Sequence, residues 1–224
     1  MLKKILFVIT CFTVISCQEM AEKDFQKFTS DFITEFALLF PDETPLSKEN
    51  EKLAVLALPT PTYFDSVKQF QQRFSSELKQ FDIQNPAFPY ARDAQKIGNI
   101  LKNVNAFLSD FTYNPQRFNV LHGFKRILES NYATEAYRLQ TLFEKLDKVP
   151  EFYEIAKSQL VKTDRSLADA AVEQQVQTFL FFDETLTDLL NSRHLMTPQY
   201  LERIEAAKLA IKDYVAFVES FRLQ

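Results

Sequence analysis

The chain has 224 residues, a formal net charge of −4, two Cys, two His, two Gly and no Trp. Gly98 and Gly123 alone cannot supply the turns of positive φ that hairpins use, so a β-rich fold is excluded and an all-α one is expected. An acidic chain without a run of Lys and Arg lacks the footprint for nucleic acid, whose phosphates need clustered cations.

The amino terminus reads as an address. Lys3 and Lys4 form a positive region, and Ile5 to Ile15 is an apolar stretch without a charge, the layout of a secretory signal. A spanning helix needs about 20 apolar residues, and Glu19, Glu22, Lys23 and Asp24 follow too soon. Val14-Ile15-Ser16-Cys17 resembles the lipobox cut by lipoprotein signal peptidase, with Val14 where Leu is preferred. The resemblance implies cleavage before Cys17, diacylglycerol on its sulfur and a further acyl chain, palmitate or similar, on the new amino terminus. Anchoring by more than one chain is stable, at about 0.8 kcal/mol per buried methylene. The competing reading is an ordinary secreted chain with a stray Cys. Cys11 is a poor rival site because its apolar stretch is only about six residues long.

Residues 1–16 are thus the expected signal peptide, 17–24 a lipidated Cys and short tether, and 25–224 one helical domain. Cleavage leaves 208 residues with Cys17 as the sole Cys, and losing Lys3 and Lys4 takes the charge to −6. An internal disulfide and a Cys-based zinc site are then ruled out. A chain this long buries roughly 70% of its unfolded surface, so a core alone can hold it. The expected location is the cell envelope, lipid-anchored, with the outer membrane preferred.

Pro, Asn and Asp punctuate the rest into segments of helical period. Phe25, Phe28, Phe32, Phe36 and Leu39 form one apolar face, ended by Pro41 and Pro45. Residues 41–62, with four Pro, read as a linker. After Pro59-Thr-Pro61, the line Phe64, Val67, Phe70, Phe74, Leu78 and Phe81 repeats the pattern. Tyr90, Ala94, Ile97, Leu101, Val104 and Leu108 make a seam for antiparallel packing. Further helices are expected over 116–130, 134–148 and 150–161, the last with Pro150 at its first position. A long helix is expected over 166–192. The final one, over 198–222, has Thr197 as N-cap and Pro198 first. Its apolar line is Leu201, Ile204, Ile211, Val215, Val218 and Phe221. The architecture expected is an irregular bundle of about seven or eight helices. The 23 Phe residues read as core at helical spacing, though aromatic-lined pockets do form between bundled helices.

Motifs that carry chemistry are missing. His122 and His194 stand in Val120-Leu-His-Gly and Ser192-Arg-His-Leu, neither with the His-Glu-x-x-His spacing of zinc hydrolases. His194 lies where the long helix ends, as a C-capping or dipole-facing residue would. His122 reads as a core or half-exposed residue. Two isolated Gly cannot build a phosphate loop, and Gly-x-Ser-x-Gly does not occur. Asp183 and Glu184 are adjacent and so point about 100° apart on a helix, the wrong geometry for a carboxylate pair. Glu173, Gln174 and Gln175 read as a solvated face with one Gln buried and hydrogen-bonded. No catalytic, cofactor-binding or metal-binding residue is assigned, and the only site is lipidation at Cys17.

Tyr113-Asn-Pro-Gln-Arg-Phe-Asn-Val120 and Arg138-Leu139, Leu142, Leu146, Val149-Pro150-Glu-Phe-Tyr153, Ala156-Lys157 and Leu160 are similar to another pattern. With Ala170-Ala171-Val172-Glu173-Gln174, they resemble the amino-terminal half of the bacterial family catalogued as domain of unknown function 885. There Tyr stands where this chain has Phe118. The resemblance spans about 30–222 and implies a large, helical, exported, zinc-metallopeptidase-like protein whose His-Glu half is not in this chain. No catalytic residue carries over. The leading expectation is a membrane-anchored, non-catalytic binding or interaction module, with a protein partner or apolar ligand. The alternative is the non-catalytic half of a split metallopeptidase-like protein.

Overall fold

The computed structural model describes residues 22–48, 51, 54–83 and 88–221. The expected signal peptide, Cys17 and the first part of the expected tether lie outside them. The described residues are all-α: α1 covers 22–39, followed by α2 (Pro61–Leu78), α3 (Ala91–Asp110), α4 (Leu121–Glu129) and α5 (Glu135–Leu146). Then come α6 (Val149–Gln159), α7 (Arg165–Leu180), α8 (Thr187–Ser192) and α9 (Pro198–Ser220). A π segment, Phe181–Leu186, joins α7 to α8, so the described chain forms eight continuous helical stretches, within the expected number.

These residues gather into two compact units. The first comprises the described residues of Met1–Phe36 with Lys68–Asn105, the second those of Ala37–Val67 with Ala106–Gln224. The first unit is a phenylalanine core. Phe25, Phe28, Phe32, Phe70 and Phe74 are all buried, as are Ala94, Ile97, Leu101 and Val104 of α3. Rings meet edge to face, Phe25 with Phe81 at 5.0 Å and Phe32 with Phe74 at 5.2 Å between centroids, the arrangement their quadrupoles favour. On the surface of this unit, Arg73 joins the Glu35 carboxylate.

In the second unit α9 packs against α6 and α7. The N-cap expected at Thr197 is present: its hydroxyl accepts from the Tyr200 N–H at 3.3 Å. The apolar line of α9 differs from expectation. Its buried residues are Ile204, Ala207, Ile211, Tyr214 and Val218, whereas Leu201 is 47% exposed and Val215 only half-buried. The true stripe keeps a strict three–four alternation, which Tyr214 and Ala207 satisfy and Leu201 and Val215 do not.

Three other expectations are corrected. The helix expected to open at 116 opens at Leu121, because the preceding residues spend their polar groups elsewhere. Gln175 donates to the Phe118 carbonyl at 2.6 Å, and the Asn119 side chain accepts from the Leu121 N–H at 2.9 Å. The stretch 41–62 is not a linker: Pro41, Ala54 and Pro59 are buried, and helix α2 already begins at Pro61, its first turn capped by Thr60. Pro150 is the second residue of α6 rather than the first.

Helix α8 ends in a Schellman motif. The Leu195 N–H donates to the Leu190 carbonyl at 2.8 Å and the His194 N–H to that of Asn191 at 3.1 Å, with His194 at φ 55°. This left-handed position favours glycine, and a β-carbon there costs roughly 1 kcal/mol. His194→Gly is expected to raise the melting temperature by about 2–4 °C. A lower melting temperature in a thermal scan would show that the imidazole contributes more than its backbone costs.

Candidate functional site

The buried polar residues Lys145, Gln175 and Thr178 mark where the sequence placed chemistry against its own packing pattern. Gln175 sits on the buried stripe of α7 with Ala168, Ala171 and Thr178. Its carbonyl oxygen accepts from the Tyr153 hydroxyl at 2.7 Å, while its amide donates to the Phe118 carbonyl. The Tyr214 hydroxyl donates to the Pro115 carbonyl at 3.0 Å. The Pro115 carbonyl also accepts from the Phe118 N–H at 3.2 Å, so these side-chain bonds tie the 3-10 turn Pro115–Arg117 and its exit to the core. Gln175 is the buried glutamine expected of the Glu173-Gln174-Gln175 cluster, and its role is structural.

Lys145 is the centre of a second buried cluster that sequence reading missed. Its side chain is 0% exposed and pairs with the Asp42 carboxylate, itself 26% exposed. The ammonium also donates to the Val55 carbonyl at 3.2 Å and lies 5.7 Å from the centroid of the Phe124 ring. Burial pulls the Lys145 ammonium below the ordinary lysine range; Asp42 opposes this, and nearby Arg126 adds to it. Arg126 stands 3.8 Å from Asp42 and donates to the Pro41 carbonyl. Gly123 makes room for this pair, since a β-carbon there would overlap both the Asp42 carboxylate and the Lys145 amine. The residues come from positions 103 apart in the chain, and neither local sequence carries a sign of the other.

The concave site of this unit lies elsewhere. A cleft of about 460 Å³ is lined by Leu128, Arg138, Leu139, Asp188, Leu189 and Arg193, together with Glu135, Thr185 and Ser192. Arg138 is fixed by backbone: it donates to the carbonyls of Leu128 at 2.7 Å and Ser130 at 2.6 Å, groups left free where α4 ends. Its buried Nε has no partner among the described residues. Arg193 pairs with Glu135. The Ser192 hydroxyl is spent on the Leu189 carbonyl at 2.9 Å.

One wall of this cleft follows the π segment. The buried positions Thr178, Phe182, Leu186 and Leu190 recur every four residues, which advances the stripe by about 40° per step at 3.6 residues per turn. The wider π turns bring it back into line. The Thr187 hydroxyl accommodates the change by donating to the Phe182 carbonyl at 3.0 Å, five residues back. That four-residue run is the signal by which sequence reading could have found the segment. Single-turn π insertions often lie at functional sites.

Of the core and half-exposed readings of His122 the structure rejects the core one, since the residue is exposed on α4, and His194 closes α8. The structure does not bring them into one cluster, and among the described residues no group of three or more His, Cys, Asp or Glu could hold a metal ion. Asp183 turns to Lys208 at 2.5 Å. Among the described residues no helix is long and apolar enough to cross a membrane.

No family model matches the chain, and no curated protein matches it. Its fold is similar to the solved structure of a candidate lipoprotein of unknown function from Shewanella oneidensis, with 20% identity and a TM-score of 0.70. The match covers 88% of this chain and 37% of that one, so this chain spans well under half of the longer protein's length.

Proposed function

We infer that this protein is an envelope lipoprotein anchored through acylated Cys17, and that its helical body is a non-catalytic binding or interaction module. The lipobox-like Val14-Ile15-Ser16-Cys17 and the lipoprotein description of the structurally similar Shewanella protein support the anchor. The observation that carries the binding role is the 460 Å³ cleft, where guanidiniums of Arg138 and Arg193 and carboxylates of Glu135 and Asp188 ring the apolar Leu128, Leu139 and Leu189. Fixed charges of both signs around an apolar floor suit a protein segment that brings complementary charges. The Ser192 hydroxyl is hydrogen-bonded to the Leu189 carbonyl rather than set beside a base.

The test places a photo-crosslinking residue at Ser192 in the full chain and fractionates cells after irradiation. The parent should label with palmitate, sediment with membranes and give one discrete adduct that Arg193→Glu abolishes. Cys17→Ser should leave the chain unprocessed and without palmitate label. A fully membrane-bound, processed Cys17→Ser variant would sink the anchor, and adducts insensitive to Arg193→Glu would sink the cleft. The second reading is the non-catalytic half of a split metallopeptidase-like protein. Peptide turnover only after adding a co-encoded His-Glu chain would promote it.

A further inference from the structure

The two glycines of the described chain pose opposite questions. Gly123 is required, because a β-carbon would overlap buried charged groups. Gly98 is not: a β-carbon there would meet only Leu78 Cδ2, at 3.7 Å, an ordinary contact. It nonetheless occupies the interior of α3, where glycine is less stable than alanine. No packing demand in the first unit explains it.

Gly98 lines a cleft of about 380 Å³ between α2 and α3, within the size range of small-molecule sites. Gln71, Ser75, Leu78 and Lys79 reach it from α2 and its C-terminal end at spacings of four, three and one, a single helical stripe. Gly98, Leu101, Lys102 and Asn105 reach it from α3 at spacings of three, one and three. Ile83 completes the lining, which contains two ammonium groups and no carboxylate. That is the reverse of the chain's balance of 30 acidic and 26 basic residues. Among the described residues neither Lys79 nor Lys102 is ion-paired, whereas Glu77 on the same helix is turned to Arg73 at 3.7 Å. Gln71 donates to Ser75 Oγ at 3.2 Å. The apolar floor is Leu78, Ile83 and Leu101, widened where Gly98 lacks a side chain.

We propose that this cleft binds a small anionic amphiphile, a carboxylate with a short apolar chain: the lysines and the Ser75 hydroxyl hold the anion, and the chain lies over Gly98. This site is independent of the charged cleft in the second unit.

The experiment uses the full chain carrying Cys17→Ser, titrated calorimetrically with octanoate, octylammonium and inorganic phosphate. Octanoate should saturate one site and bind at least tenfold tighter than either control. Lys79→Gln with Lys102→Gln should weaken octanoate at least tenfold and flatten its salt dependence. Gly98→Ala should raise the melting temperature by about 2–4 °C while weakening octanoate, and Gly98→Met should reduce its binding more than tenfold in a folded protein. Equal binding of octylammonium or of phosphate overturns the proposal, as does octanoate binding that survives Gly98→Met. Absence of saturable octanoate binding, or a lower melting temperature for Gly98→Ala, overturns it too.

Discussion

Asp42→Ala is expected to destabilise the protein by about 3–5 kcal/mol, because it leaves the Lys145 ammonium in the core with the Val55 carbonyl alone. At about 2–4 °C per kcal/mol, the melting temperature should fall by roughly 10 °C. Lys145→Met should cost less. Asp42 keeps 26% of its side chain in solvent, against 0% for Lys145, and Arg126 remains 3.8 Å away to face it. The asymmetry is the informative part, since a surface pair would lose about 1 kcal/mol or less from either side. Asp42→Leu combined with Lys145→Met should recover much of the loss, because it removes both desolvated charges together. Urea titrations of the four proteins give the comparison. A loss below 1 kcal/mol for Asp42→Ala would mean that the ammonium is hydrated or neutral without its partner.

Above pH 10 the protein should unfold cooperatively. Burial raises the phenols of Tyr153 and Tyr214 well above the ordinary tyrosine value, and raises those of Tyr63 and Tyr132 as well, so the folded state keeps protons that the unfolded chain releases, the two of Tyr153 and Tyr214 among them. Stability is then fully present below about pH 10 and falls as pH rises, by about 1.4 kcal/mol per pH unit for each tyrosine. For the pair, the loss between pH 10 and 12 is of the order of 5 kcal/mol, comparable to the whole stability of many domains. The depressed Lys145 has the opposite sign: it adds stability as pH rises toward the ordinary lysine value and contributes no further change beyond it. Tyrosinate absorbance and circular dichroism should therefore change together in one steep step. Tyr214→Phe should move the step to higher pH while costing about 1 kcal/mol at neutrality through the lost bond to Pro115. Gradual titration of all eight tyrosines with helicity intact would show that water reaches them in the folded state.

Much of the helical layout was legible because it depends on neighbours a few residues apart. The spacing of Phe25, Phe28 and Phe32 placed one buried face, and Thr197 with Pro198 placed the start of α9. The scarcity of glycine decided the fold class. Even Gln175 carried a local sign, a polar residue on a line of small and apolar ones. The helix opening at Leu121 was missed because partners of Phe118 and Asn119 lie on α7, 57 and 59 residues later in sequence. The same limit hid the best-buried charge: Lys145 has the local appearance of any surface lysine on α5, and Asp42 that of any turn residue after a proline. Only the fold brings them together and gives Gly123 its reason. Periodicity is a property of one helix in isolation, so the sequence by itself determined the class, most element positions and the residues available for a core. Which polar groups leave water, which glycine is compelled and where clefts open depend on contacts between segments distant along the chain. Those the tertiary structure alone decided.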